Sequence, residues 1–269
     1  MLAELLALLP ALLLAGAVAG LMAGLLGVGG GIIMVPVLFE TFVILGVPDA
    51  SAILIATGTS LSVIVPTAIA STRSHADRGN VDWVVFKRWA PPMVFAVVVG
   101  AVVAPYLAEG PLLMLFGGFA VVAALNHLLR RDAAPLRDEL PSVASQWLIA
   151  MIIGVVCVLL GIGAGTLGVA VMSACSVAMH RAVGTAAALG LMIAIPGALV
   201  GLFHSTPAGA TPYTAGHLSL PGFLCMAPLA VLCAPLGVRL GARLSEKLLQ
   251  QVFAGFLLVV GLRMLSRAF

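Results

Sequence analysis

Charge is scarce in this 269-residue chain: 13 Lys and Arg and 10 Asp and Glu stand against 62% hydrophobic residues. The mean hydropathy is +1.21. A water-soluble domain cannot cover its surface with so few charges, so a soluble enzyme is excluded. The basic residues behind the net charge of +3 lie in short loops and at helix ends. There they act as membrane-orientation signals and imply no nucleic-acid partner. Cysteine is also rare. Cys157, Cys175, Cys225 and Cys233 sit singly in apolar runs without C-x-x-C spacing, and read as small hydrophobes rather than ligands or redox centres. The first 25 residues lack a basic leader region and run on into more apolar sequence, the pattern of a retained segment. No H-E-x-x-H, Walker loop, Ser-His-Asp order or metal-spaced cluster is present, so no catalytic residue, cofactor or metal is expected.

What the chain has instead is apolar length. Apolar tracts cover residues 5–47, 50–71, 89–108, 111–129, 147–179, 182–203, 222–237 and 248–265. At roughly 20 residues per helical crossing, the chain holds about seven to nine full or partial crossings. This predicts an all-α, polytopic helical membrane protein whose constant partner is the lipid bilayer. The first and fifth tracts exceed one crossing, and each is broken by glycine: Gly27-Val28-Gly29-Gly30-Gly31 and Gly161-Ile162-Gly163-Ala164-Gly165. The tracts are therefore read as glycine-broken or re-entrant helices. The first is open to two readings, two spans or a hairpin, and the side of the N-terminus is not defined.

A polar linker near the middle separates two copies of one pattern. The expected organisation is a first transmembrane repeat over 1–130, a polar cytoplasmic linker over 131–146 and a second repeat over 147–269. An offset of 134 lays Gly20, Gly27, Gly29 and Gly31 on Gly154, Gly161, Gly163 and Gly165. An offset of 126 lays Ala56, Gly58 and Thr59 on Ala182, Gly184 and Thr185, and an offset of 137 lays Gly79 and Gly100 on Gly216 and Gly237. Matched loops carry opposite charge. The loop with Arg73, Arg78, Lys87 and Arg88 has a counterpart, 204–221, with no Lys or Arg, whereas the turn near Glu109 faces Arg239, Arg243 and Lys247. Basic residues stay in the cytoplasm, so the repeats are expected to be inverted. If the 147–179 tract enters and leaves by one face as a hairpin with arms of about fourteen residues, eleven of the thirteen basic residues fall inside; as a single broken crossing it leaves nine.

Non-helical backbone at membrane depth survives only where protein encloses it or it lines a cavity. A glycine turn leading into a helix exposes unpaired N–H groups at the positive end of the helix dipole, and such an end binds anions. Gly29, Gly30 and Gly31 precede one such helix; Gly163, Ala164 and Gly165 precede the other, with the Thr166 hydroxyl as a further donor. Small-residue helix packing is the competing reading for these glycines. Thr59, Ser60 and Thr185 add hydroxyls that can contact a bound oxyanion or bond back to their own helix. Arg73, His75 and Arg78 can steer an anion at the cytoplasmic mouth or anchor the topology. Glu40 reads as a proton site or as an interfacial residue.

The string at residues 20–36, GLMAGLLGVGGGIIMVP, resembles the opening signature of the sulfite exporter TauE/SafE family. Residues 56–61, the H-A-D-R-G-N-V-D-W run at 75–83 and the A-V-G-T run ending at Thr185 resemble later family segments in order. The resemblance implies a bacterial inner-membrane, multi-pass carrier for a small anionic substrate, sulfite or an organosulfonate; the two glycine tips between inverted halves add the expectation of export by alternating access, without a cofactor. The chain departs from the pattern at Ala164 and Ala186, where glycine and serine are usual. A gated anion channel, a proton-coupled uptake carrier and a non-transporting membrane subunit remain as alternatives, and the sequence permits a homodimer without defining one.

Overall fold

The computed structural model describes residues 2–26, 30–129, 137, 139–240 and 246–268. Ten α-helices account for nearly all of them: α1 (Leu2–Leu26), α2 (Gly31–Ile44), α3 (Asp49–Ala76), α4 (Trp83–Val103), α5 (Glu109–Leu129), α6 (Val143–Leu160), α7 (Gly165–Ala174), α8 (Met179–Phe203), α9 (Leu220–Leu240) and α10 (Glu246–Ala268). A short 3-10 turn follows α4. A two-residue ladder, β1 (Thr214–Ala215) with β2 (Leu218–Ser219), closes the connection between α8 and α9. Helix dominates because lipid supplies no hydrogen-bond partners, so the backbone must satisfy itself within each segment. Among the described residues, six helices are long and apolar enough to cross a bilayer. The chain is a polytopic helical membrane protein.

Neither α2 nor α7 is such a helix. At 14 and 10 residues they rise about 21 and 15 Å, short of the roughly 30 Å hydrocarbon core. The arms of the second hairpin are therefore unequal, 18 residues against 10, where the sequence suggests two of similar length. The reason is local. Ser142 caps α6 by accepting from the Ser145 amide, ahead of the apolar tract. After Ala174 the chain turns through Ser176 at φ 60°. The hairpin closes on itself: the Arg137 amide donates to the Ala174 carbonyl at 3.1 Å and Ser176 Oγ donates to the Arg137 carbonyl at 2.8 Å. The 147–179 tract thus enters and leaves at one end of the molecule. Arg181, at the start of α8, pairs at 3.1 Å with Asp82 of the α3–α4 turn, which places that turn at the same end.

Matching α1–α5 with α6–α10 makes the packing reciprocal. α1 lies along α9 as α6 lies along α4; α3 touches α9 as α8 touches α4; α3 packs on α8 and α5 on α10. Glycine permits the closest of these approaches. Carbons added at Gly16, Gly20 and Gly24 would run into the backbones of Met226, Ala230 and Ala234 in turn, so α1 and α9 are parallel. Gly154 meets Met93, and Gly100 meets Val155 and Val158, so α6 and α4 are parallel as well. α3 and α8 are antiparallel: Ser51 near the start of α3 bonds the Ala208 carbonyl just beyond α8, while Arg181 near the start of α8 reaches Asp82 beyond α3.

These crossings generate a stability test. Gly20→Leu and Gly154→Leu are each expected to destabilise the solubilised protein by roughly 1–3 kcal/mol or more, because backbone occupies the space the side chain needs. Gly118→Ala, with nothing within 4 Å of the added carbon, is expected to leave the unfolding temperature unchanged or slightly raised.

Candidate functional site

The two glycine breaks meet halfway along α3. A carbon added at Gly31 would lie 2.5 Å from the Gly161 carbonyl oxygen, 2.8 Å from Ile162 Cα and 3.0 Å from Ile64 Cδ1. One at Gly161 would lie 2.7 Å from Thr57 Cα. Ile64 and Thr57 are in the middle turns of α3, so both breaks are at mid-depth. Gly30, Gly31, Gly161, Ile162, Gly163, Ala164 and Gly165 are all buried. Gly29 lies outside the described residues.

The tips differ in detail. Gly30 caps α2 in the left-handed region, φ 74°, and its carbonyl accepts from the Ile33 and Met34 amides. The amides of Gly31 and Ile32, in the first turn, have no partner within the helix. In the second tip Gly161, φ 65°, ends α6: its amide donates to the Val158 carbonyl at 3.1 Å and that of Ile162 to the Cys157 carbonyl at 2.9 Å. This pair of hydrogen bonds from the turn back into the helix is the Schellman arrangement, and it consumes those two amides. Donor capacity therefore begins at Gly163. Ala164 caps α7 by accepting from the Gly168 amide at 2.7 Å, so the amides of Gly165, Thr166 and Leu167 have no partner within the helix. The Thr166 hydroxyl oxygen is buried and unpartnered. The α2 N-terminus thus packs on the turn that ends α6 and leads into α7, and each of the two helix N-termini is equivalent to about half a positive charge. A cleft of about 420 Å³ between α6 and α7, lined by Arg137, Ser145, Ala170 and Cys175 among others, runs along α7 as far as Leu167, next to Thr166.

The other hydroxyls are engaged. Ser60 Oγ donates to the Gly161 carbonyl at 2.8 Å and pins the second tip to α3. Thr59 Oγ1 accepts from the Ser219 amide at 2.9 Å, and Thr185 Oγ1 accepts from the Asp82 amide at 2.8 Å while donating to the Arg181 carbonyl at 2.7 Å. These two bonds are counterparts: Thr59 matches Thr185 at offset 126 and Asp82 matches Ser219 at offset 137. Each threonine braces the residue that opens a helix of the other half. The adjoining glycines follow suit, Gly58 packing on His217 and Gly184 on Asn80, again matched at 137. Sequence reasoning missed the braces, although the two offsets, read together, pair these residues.

Arg73 and Arg78 are exposed and stay at the α3–α4 turn; Arg78 bonds only locally, to the Ser74 carbonyl and hydroxyl. His75 is buried, its Nε2 3.2 Å from the Gly24 carbonyl of α1. Neither arginine is bonded to a residue of the breaks, whereas His75 holds the last turn of α1, three residues before the first break begins at Gly27. Glu40 pairs with Arg263 at 3.0 Å and Arg267 at 3.1 Å, and Arg267 also reaches Asp49, an ion-pair cluster tying α10 to α2 and α3. In the connection between α8 and α9, His217 stacks on His204 at 5.3 Å. Burial and then the His204 charge push the His217 imidazole down to about 4.

Residues 12–264 match the sulfite exporter TauE/SafE family. The chain belongs to that family. It is a TauE/SafE membrane transporter and not an enzyme. The TauE/SafE chain is 29% identical over 241 residues to a probable membrane transporter protein of Haemophilus influenzae, covering 88% of this chain and 90% of that one. It is 28% identical over 263 residues to a probable membrane transporter protein of Methanocaldococcus jannaschii, covering 97% of each. It is 22% identical over 262 residues to the Bacillus subtilis probable membrane transporter protein YunE, covering 89% and 91%. No solved structure matches the transporter.

Two outcomes are expected of these contacts. Thr59→Val and Thr185→Val each leave a backbone amide without its acceptor and should destabilise the transporter by about 1–3 kcal/mol in thermal unfolding. Arg181→Gln, which loses a half-exposed ion pair, should cost under about 1 kcal/mol. His217 favours the neutral form in the fold. Its contribution is therefore complete above the ordinary histidine value of 6.5 and is lost as pH falls towards about 4. His217→Asn, which copies Asn80, should flatten the fall in unfolding temperature across that window.

Proposed function

We propose that this TauE/SafE transporter exports sulfite or a related small sulfur-containing oxyanion or organosulfonate across the bacterial inner membrane by alternating access. The observation that carries this reading is the packing of the α2 N-terminus on the Gly161–Ile162 turn that leads into α7, with the unpartnered, buried Thr166 hydroxyl in the first turn of α7. Gly29, Gly30, Gly31, Gly163, Ala164, Gly165 and Thr166 form the anion cradle in this reading. Ser60 holds the second tip in register, and Thr59 and Thr185 tie the tips' scaffold to the opposite repeat. Backbone donors suit a pyramidal or tetrahedral oxyanion because they impose no rigid side-chain geometry.

The repeats are inverted in this reading, with the linker and the α3–α4 turn in the cytoplasm. The antiparallel pairs α3–α8 and α5–α10 and the exchange of α1–α9 for α4–α6 support it, since a two-fold axis in the membrane plane relates partners in this way. The cleft between α6 and α7 then opens to the cytoplasm, with Arg73, Arg78 and Arg137 at that face. A negative interior favours anion exit by about 2.3 kcal/mol per charge per 100 mV, so export needs neither ATP nor a proton-carrying carboxylate.

Counterflow in reconstituted vesicles tests the carrier. Vesicles preloaded with unlabelled sulfite are expected to accumulate labelled sulfite transiently; simple equilibration would identify a channel, and no flux would reject transport of this cargo. Thr166→Val, nearly isosteric, should raise the KM for sulfite about tenfold through loss of one hydrogen bond to a charged ligand. An unchanged KM would remove Thr166 from the cradle.

A further inference from the structure

We infer that Ser71, Thr72 and His75 form a second binding site, near the α3–α4 end of α3, for a small oxyanion that carries one proton. Elsewhere on α3 every hydroxyl described above or bonding locally has a partner: Thr57 donates to the Leu54 carbonyl, Ser62 to that of Gly58 and Thr67 to that of Val63. Ser71 and Thr72 break this habit. They are 1% and 9% exposed, and neither hydroxyl has a partner. His75, 5% exposed, has a buried Nδ1 that is likewise unpartnered. Positions 71, 72 and 75 fall within an arc of about 100° and little more than one turn of the helix. A buried polar group left without a partner is costly, so three on one helix face mark a place where a ligand belongs.

The chemistry of that ligand follows from the imidazole. Its Nε2 faces the Gly24 carbonyl, which can only accept, so Nε2 carries the hydrogen. In the neutral ring Nδ1 is then an acceptor, while the two hydroxyls are donors. The complementary ligand has one O–H to give and at least two oxygens to receive, as hydrogen sulfite does. While the ring stays neutral, neither a fully deprotonated dianion nor a sulfonate has a hydrogen to give Nδ1. The central cradle offers donors only and draws no such distinction. The charged groups around His75 are Arg73, Asp77 and Arg78 on its own helix and the turn after it, and Arg239 of α9, which follows the Val238 that packs on Gly24, all exposed; α1, which supplies Gly24, has no titratable side chain between Leu5 and Leu26. Eleven residues along α3 separate His75 from Ile64, which packs on Gly31, roughly 16 Å. The site rests on the oxyanion transport proposed above and adds to it a selection of protonation state before the cargo reaches the cradle.

Isothermal titration of sulfite and of methanesulfonate into the solubilised full-length protein tests the assignment, at a pH below the second ionisation of sulfite. The wild type is expected to bind sulfite at least tenfold more tightly than methanesulfonate, with that preference falling as pH rises through the ionisation. Ser71→Ala with Thr72→Val should erase the preference and leave methanesulfonate affinity unchanged. His75→Leu should erase it too, while His75→Gln, which keeps a donor for Gly24 and an acceptor for the ligand, should retain part of it. A preference that survives in the double variant overturns the site, as does its absence in the wild type. A higher unfolding temperature accompanying unchanged binding would show that the hydroxyls were only unsatisfied or hydrated. Failure of wild-type counterflow would remove sulfite export but leave this binding comparison readable.

Discussion

A bilayer interior offers a peptide group nothing to bond with, and this constraint shapes the molecule from the breaks outward. Two interruptions of helix at mid-depth leave amides that lipid cannot satisfy. The fold answers by enclosing both breaks against each other and against the middle turns of α3, with Gly31 on Gly161 and Ser60 on the Gly161 carbonyl. The same enclosure gathers the positive ends of two half-length helices in a dry interior, where dipoles act most strongly on a charge. In the function proposed, this cost to folding becomes a resource for binding anions.

Around this centre the halves hold each other more than themselves. α1 finds its long neighbour in α9 and α6 finds its own in α4, and a threonine of α3 and one of α8 each secure the residue just before a helix across the divide. The two ends are not chemically equal. At the Asp82 end the brace is reinforced by the Arg181 ion pair, whereas the Ser219 end is neutral and lies beside the stacked His204 and His217. Matched geometry with unmatched chemistry suits a protein whose two faces meet different solutions.

Much of the architecture was legible because membrane constraints are one-dimensional. Apolar run length marks the helices, glycine clusters mark their interruption, and basic residues mark the face that does not cross. The 161–165 break and the return of the following arm to its starting end follow from those signals. The site was legible only in part. Thr59, Ser60 and Thr185 were recognisable as hydroxyls in apolar helices, but the sequence is silent on whether each points to a ligand, its own helix or another segment. All three are bonded within the protein, while Thr166, similar in composition and setting, is not. Ser71 and Thr72 gave no signal at all, since an orphaned hydroxyl is defined by the absence of neighbours far along the chain.

Composition and spacing by themselves determined that the chain crosses a membrane repeatedly, that it carries the TauE/SafE pattern and that helix fails at two matched places. These are properties of short windows and of solvation, which act residue by residue. Tertiary structure decided which polar groups are engaged and which remain: the Gly161 and Ile162 amides donate within their own turn, the Thr59 and Thr185 hydroxyl oxygens accept from amides of the opposite half, and the Thr166 hydroxyl is left over. Hydrogen-bond satisfaction depends on partners that, for Ser60, Thr59 and Thr185, lie 101, 160 and 103 residues away, a distance no local pattern can encode.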